Sequence, residues 1–337
     1  MMQKKILITG ASGFIGSAIV ARALEEGYET WAGIRSNSSK DMLQDERINF
    51  IELNYTDTNK LTEELIAFDN QHGKLDAIVH VAGITKALNK DDFEKINYGY
   101  TKNFVDALVK ANMVPKTFVF MSTLGAVGVG DEINYSPMRT HRIPKPNTIY
   151  GKSKLLAETY LKSTPGFPYV ILRPTGVYGP CDKDYLIIMR AVQKGLNIGA
   201  GFKKQLLSFI YISDLVDIVF LAIDKEVTRR EYYVSDGNGY TDDEFNRIVQ
   251  RALNKKRVFR IRIPLFLVKA AAHVTEKVGE QLNKPVTFNS DKYKIMKQRN
   301  WVCDITPLKE ELNFTPKVYL EEGVEKTVAW YKDKGWL

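Results

Sequence analysis

The feature that most limits what this chain can become is the run Gly10-Ala11-Ser12-Gly13-Phe14-Ile15-Gly16, set between a short apolar stretch, Lys5 to Thr9, and an amphipathic stretch, Ser17 to Glu26. Three glycines at this spacing mean little alone, and a plain Gly-rich turn is the alternative. Between a strand and a helix they acquire a mechanism. Gly10 makes a tight turn, Gly13 lets the backbone approach a ligand, and Gly16 permits close packing of a helix whose N-terminus faces an anion.

The first half continues in the same rhythm. Strand-like runs at Glu29 to Ile34, Ala77 to Val81, Thr117 to Met121 and Tyr169 to Leu172 alternate with helical patterns at Leu61 to Phe68, Phe93 to Ala111 and Tyr150 to Lys162. This is the signature of a parallel sheet with helices on both faces. Hydrophobic residues make up 44% and charged residues 26% of the 337, so a sizeable core can be buried. The expected fold class is α/β: a Rossmann-type doubly wound parallel sheet with a smaller C-terminal substrate-binding lobe. Residues 1–173 are expected to form the dinucleotide-binding domain, with 208–236 returning to it, and 174–337 mainly the substrate-binding lobe.

Lysine and arginine (48) exceed aspartate and glutamate (40), and the excess is spread along the chain. That favours an anionic small molecule as partner and gives no ground for nucleic-acid binding. Cys181 and Cys303 have neither paired spacing nor neighbouring histidines, which argues against a zinc site or a disulfide and fits a reducing cytoplasm. No metal site is expected. The most apolar late stretch, Ile263 to Val274, is broken by Pro264, Lys269 and His273, so no membrane span is expected. Its Leu265, Phe266, Val268 and Ala272 read as core packing, or as the wall of a lipophilic pocket.

After the second strand, where an acidic residue would bind a ribose hydroxyl of NAD, the chain reads Arg35-Ser36-Asn37-Ser38-Ser39-Lys40. A guanidinium beside hydroxyls suits the extra phosphate of NADP, with NAD as the other choice and a solvated basic loop as the bland one. Tyr150 and Lys154 lie four apart on a helical pattern and share a face. A cation beside a tyrosine favours phenolate and equips it to pass a proton. Tyr98 with Lys102 and Tyr293 with Lys297 repeat the spacing. The Tyr150 pair is singled out because it follows the strand Thr117 to Met121, whose end delivers Ser122 and Thr123.

At this point the chain resembles the extended short-chain dehydrogenase/reductases, which include the NAD-dependent epimerase/dehydratases. The resemblance rests on the glycine loop, Ile78-Val79-His80-Val81-Ala82-Gly83, Asn97 with Thr101 and Asn103, Ser122-Thr123, Tyr150 with Lys154, Arg173-Pro174-Thr175-Gly176-Val177-Tyr178-Gly179-Pro180, and Tyr211-Ile212-Ser213-Asp214. It extends into the tail at Asp304, Leu312, Phe314, Pro316 and Glu322-Gly323. It implies Tyr150 as general acid/base, Lys154 holding the nicotinamide ribose and lowering the tyrosine pKa, and Thr123 bonding the reacting oxygen, with Ser122 as fallback. Asn97 is either a proton-relay support or a packing residue. The cofactor set it implies is Gly10, Ser12, Gly13, Phe14, Ile15, Gly16, Arg35, Asn54, Val81, Ala82, Gly83, Tyr150, Lys154, Pro174 and Val177. His80 is expected to be structural. In many relatives the helices near Tyr98 to Ala111 and Gly151 to Lys162 pair between subunits, so a homodimer is implied.

Two departures bear on the small-molecule substrate. Nucleotide-sugar members usually carry Asn shortly after the Arg173 position and Arg just before the strand beginning at Phe209, and this chain has Thr175-Gly176 and Leu207-Ser208. The pattern resembles the reductase and 3β-hydroxysteroid-dehydrogenase-like branch, although Arg139, Arg142, Lys145, Arg190, Lys203 and Lys204 are other candidates for gripping a phosphate. Three functions stay open: an NAD(P)-dependent oxidoreductase acting on a carbonyl or secondary alcohol, a nucleotide-sugar epimerase or dehydratase, and a dinucleotide-binding sensor without turnover.

Overall fold

The computed structural model describes residues 3–337. Seven parallel strands form the central sheet: β1 (Lys5–Thr9), β2 (Glu29–Ile34), β3 (Asn49–Glu52), β4 (Ala77–His80), β5 (Thr117–Met121), β6 (Tyr169–Pro174) and, after four short strands outside this sheet, β11 (Arg230–Val234). Their order is β11-β6-β5-β4-β1-β2-β3. Alternate residues face opposite sides, and in the inner strands β1, β4, β5 and β6 both sides are buried, so these strands are mostly apolar. Ile6, Ile8, Val79, Val119 and Val170 pack with the helices Phe14–Glu25 and Ile212–Asp224. Leu7, Ile78, Phe118, Phe120 and Ile171 pack with Thr58–His72, Thr101–Lys110 and Ile149–Ser163.

Local signals set the helix ends. Asp57 accepts from the amides of Asn59 and Lys60 to start Thr58–His72, which stops at Gly73 with φ +79°, and Thr148 accepts from the Gly151 amide to start Ile149–Ser163. Two features escaped the sequence reading. The strand β3 is only four residues long and half-exposed, too short for a pattern to register. The helix expected over 93–111 runs over 91–110 and is wound as a π-helix across Glu94–Tyr100, a register that a 3.6-residue periodicity does not reveal.

Among the described residues, three two-stranded pieces lie outside the central sheet. β7 (Gly176–Tyr178) pairs in parallel with β10 (Phe209–Tyr211), β9 (Leu206–Leu207) antiparallel with β12 (Tyr240–Thr241), and β8 (Leu196–Ala200) in parallel with β13 (Phe259–Ile263). Phe209–Tyr211 is therefore not a strand of the main sheet. The helix after it lies against Phe14–Glu25, and Arg230–Val234 adds the edge strand beside β6. Strand order reverses at β1, which has β2 on one side and β4 on the other, and a crevice opens beyond the strand ends there.

Candidate active site

The glycine loop turns at the carboxyl end of β1. Gly10 sits at φ +65°, and a Cβ there would lie 2.8 Å from the Ala82 nitrogen, so only glycine lets the loop meet the segment after β4. A Cβ on Gly16 would fall 2.2 Å from the Gly10 oxygen, so the helix rests on the turn itself. Gly13 is exposed, and a Cβ there would have only the Gly10 oxygen near it, at 3.3 Å. It caps the helix Phe14–Glu25 with backbone alone: among the described residues no side chain caps the free amides of the first turn, and no acid lies in it. A bare, uncapped helix N-terminus at a switch point fits the pyrophosphate of a dinucleotide. Ser12, Phe14 and Ile15 line the same turn, partly exposed.

Arg35, fully outside the core, begins the loop after β2. Its amide donates to Ser38 Oγ (3.1 Å) and its carbonyl accepts from the Ser38 amide (2.9 Å), a turn that presents the guanidinium with no carboxylate beside it in sequence. Asn54 stands two residues beyond β3, where its Oδ1 accepts from the Thr56 amide (3.1 Å), so its side chain shapes its own turn.

The rim after β4 is fixed from beneath. Thr101 Oγ1 donates to the Asn97 carbonyl (2.8 Å), so it accepts from His80 Nε2 (3.0 Å). That leaves His80 Nδ1 to accept from Thr9 Oγ1 (2.8 Å), and Thr9 Oγ1 to accept from the Ala82 amide (3.2 Å). The chain has one self-consistent proton order, with His80 neutral. Burial, then the charge of Lys154, pushes its pKa down to about 3, and the structural reading of His80 follows. Asn97, in the π-wound turn, accepts from the Ile84 amide (2.7 Å) and donates to the Ile84 carbonyl (3.0 Å) and Ser153 Oγ (3.0 Å). Its amide clamps the segment Val81 to Ile84 to the helix Ile149–Ser163.

Of the two hydroxyls after β5, only one is free for chemistry. Ser122 is buried and donates to Glu158, which also receives both arms of Arg173 (3.0 and 2.6 Å), so the fallback role for Ser122 is withdrawn. Thr123 is partly exposed, and its Oγ1 accepts from the Gly125 amide (3.1 Å), which leaves its own proton available. Tyr150 and Lys154 occupy the first turns of Ile149–Ser163. Tyr150 packs edge-on against Phe93, and burial pushes its phenol up to about 12. The expected lowering of this pKa by Lys154 is absent. The Lys154 ammonium lies 4.3 Å over the Phe120 ring and within 3.7 Å of where a Gly83 Cβ would be. Burial pulls it down to about 8, and Glu158, one turn on, partly restores it. A buried ammonium facing the Gly83 backbone suits a ribose hydroxyl.

Pro174 ends β6, buried, and Val177 lies in β7, partly exposed. The two departures acquire a physical form. A side chain on Gly176 would collide with the Tyr185 hydroxyl, 2.0 Å from its Cβ, and Thr175 Oγ1 donates to the Val234 carbonyl (3.2 Å). Leu207 is tied into β9, and Ser208 Oγ donates to the Asn238 carbonyl (2.8 Å). Of the alternative cations, Arg190 donates to the Trp336 carbonyl (2.9 Å) and Lys204 lies over Tyr135 at 5.7 Å. A cavity of about 70 Å³ lies beyond Phe93 and Ile149, walled also by Leu88, Glu276 and Val286, and none of Thr123, Tyr150 and Lys154 lines it. Sequence reading passed over Glu158 and Tyr185. Glu158 stands four residues after Lys154, the one signal that could have found it.

The chain is one of the extended short-chain dehydrogenase/reductases. Within them the chain belongs to the NAD dependent epimerase/dehydratase family, which it matches over residues 6–235. It is 26% identical over 341 residues to a UDP-glucose 4-epimerase of Vibrio cholerae, covering 97% of this chain and 95% of that protein. It is 25% identical over 347 residues to the decarboxylating sterol-4-alpha-carboxylate 3-dehydrogenase ERG26 of Saccharomyces cerevisiae, covering 96% and 97%. The solved structure of the Bordetella bronchiseptica enzyme WbmG in complex with NAD and UDP superposes with a TM-score of 0.76 at 21% identity, over 99% of this chain and 97% of that one.

Proposed function

We propose that the protein is an oxidoreductase, preferring NADP(H), that interconverts a carbonyl and a secondary alcohol on a compact or lipophilic substrate carrying no nucleotide diphosphate. The observation that supports this reading is the Tyr185 hydroxyl seated over Gly176, in the Thr175-Gly176 pair that stands where nucleotide-sugar members usually carry an Asn shortly after the Arg173 position. Tyr150, protonated at neutral pH with its phenol near 12, gives its proton to the carbonyl oxygen as that oxygen gains charge. Thr123 Oγ1 donates a second hydrogen bond to the same oxygen, and Lys154 holds the ribose beside Gly83. When bound, the nicotinamide supplies or takes the hydride. Arg35 would pair with the ribose phosphate of NADP. The yeast sterol dehydrogenase is a relative whose name describes this reaction type.

The same reading assigns residues 1–173, with 208–236 returning, to the dinucleotide and 174–337 mainly to the substrate, and pairs two copies through the helices over 98–111 and 151–162, where Val109 and Leu156 are exposed. The Vibrio relative favours a second reading, nucleotide-sugar epimerisation. Following NADPH absorbance with a carbonyl panel and a UDP-, GDP- and dTDP-sugar panel separates them. Net NADPH use on a carbonyl supports the oxidoreductase, and epimer formation without net use refutes it.

A further inference from the structure

The helix Leu265–Gln281 buries a narrow face at Val268, Ala272 and Gly279. The neighbouring face is apolar and open. Phe266, Val274, Val278 and the cap residue Leu282 are 70%, 60%, 45% and 64% exposed and, with Ala270, follow one another at four-residue spacing in a single row. Beside it runs a second row at the same spacing, Lys269, His273 and Lys277, all exposed. The apolar surface continues past the start of the helix. Gly201 packs against Leu265, which brings Phe202, 75% exposed, to that end. On β13, Arg262 is held by Asp242 and Asp243, which turns the alternate residues Phe259 and Ile261 outward. A stable monomer seldom leaves so much connected apolar surface in water.

We propose that this face lies on an anionic lipid bilayer. The apolar row enters the boundary between headgroups and acyl chains, and Lys269 and Lys277 reach the lipid phosphates. Charge complementarity selects this occupant over a second copy of the chain. The acids of the helix, Glu276 and Glu280, lie on the far side of the cationic row over the cavity shared with Lys90 and Lys284, and Glu276 is paired with Lys90 (2.9 Å). The formal net charge of +8 adds repulsion between copies and attraction to a negative surface. The opposite side of the helix borders the cavity next to Phe93 and Ile149, so a docked protein holds that cavity close to the lipid.

Co-sedimentation of the full chain with vesicles of phosphatidylcholine alone, and of phosphatidylcholine mixed with phosphatidylglycerol, tests the proposal. Binding is expected to the mixed vesicles and to weaken as salt rises. Lys269→Gln with Lys277→Gln is expected to weaken it about tenfold or more. Phe266→Ser with Val274→Ser is expected to abolish it while circular dichroism stays unchanged. Absence of binding by the wild type, or equal binding by the lysine variant, overturns the proposal. So does a wild-type dimer in gel filtration that the Phe266 and Val274 variant converts to monomer, which would assign the face to a second copy. The assay reads no turnover, so its outcome is independent of the oxidoreductase reading.

Discussion

Lys154 carries its charge against the pull of burial. Its pKa falls from 10.5 to about 8, so between those values the unfolded chain holds a proton that the folded one releases. Stability therefore rises with pH across that window, and below about 8 the full penalty stands. Lys154→Met, in protein without cofactor, is expected to raise Tm at pH 7, with the gain vanishing near pH 10.5; a gain constant with pH would show that packing, not charge, is its source. The same variant is expected to lose dinucleotide affinity. Tyr150→Phe removes only a hydroxyl, so cofactor affinity is expected to survive while turnover falls by about two to four orders of magnitude; near-normal turnover would move the acid/base role elsewhere. Arg35→Ala is expected to weaken NADP(H) about ten- to a hundredfold and to leave NAD(H) nearly unchanged, read by titrating both cofactors.

At the scale of elements, the helix carrying Tyr150 is located by a buried ionic ladder. Glu158 is fully buried, accepts from Ser122 and takes both arms of Arg173, which reaches on to Glu231 (2.9 Å). Burial disfavours the guanidinium charge, but the two glutamates hold its pKa above the usual arginine value. Removing one member strands a charge. Arg173→Met is expected to cost about 3 to 5 kcal/mol in urea unfolding, and adding Glu158→Gln to recover part of that loss. Because Glu158 follows Lys154 by one turn, the double variant is also expected to lower the Lys154 pKa, visible as a shift in the pH dependence of cofactor binding.

Across the whole molecule, three separate elements converge on one point. Gly176 in β7, Tyr185 in the helix Asp184–Gln193, and Phe209 in β10 meet there. Gly176→Asn is expected to destabilise the fold by about 1 to 3 kcal/mol through overpacking against Tyr185, and Tyr185→Ala in the same chain to relieve it. If Gly176→Asn is neutral, the region is open and the argument against a diphosphate ligand weakens.

Periodicity and glycine spacing were enough to read the alternating strands and helices, the parallel class of the sheet, the turn at Gly10 to Gly16 and the shared helix of Tyr150 and Lys154. Each of these is a local property: a four-residue spacing puts two side chains on one helix face whatever surrounds it. What tertiary structure decided are the partners that local spacing does not encode. Ser122 meets Glu158 across 36 residues, and that contact turned a candidate hydroxyl into a structural one. Asn97, within a π-wound turn, meets Ile84 and Ser153. Tyr185 fills the space over Gly176, and burial, a property of the assembled core, set the Tyr150 phenol high where sequence proximity to Lys154 argued for low. The stripe at Leu265 to Ala272 shows the division within one helix. Its apolar spacing is written in the sequence, but only packing determined that Val268 and Ala272 turn inward while Phe266 remains in solvent, because a helix with two apolar faces leaves one of them outside a core that has room for one.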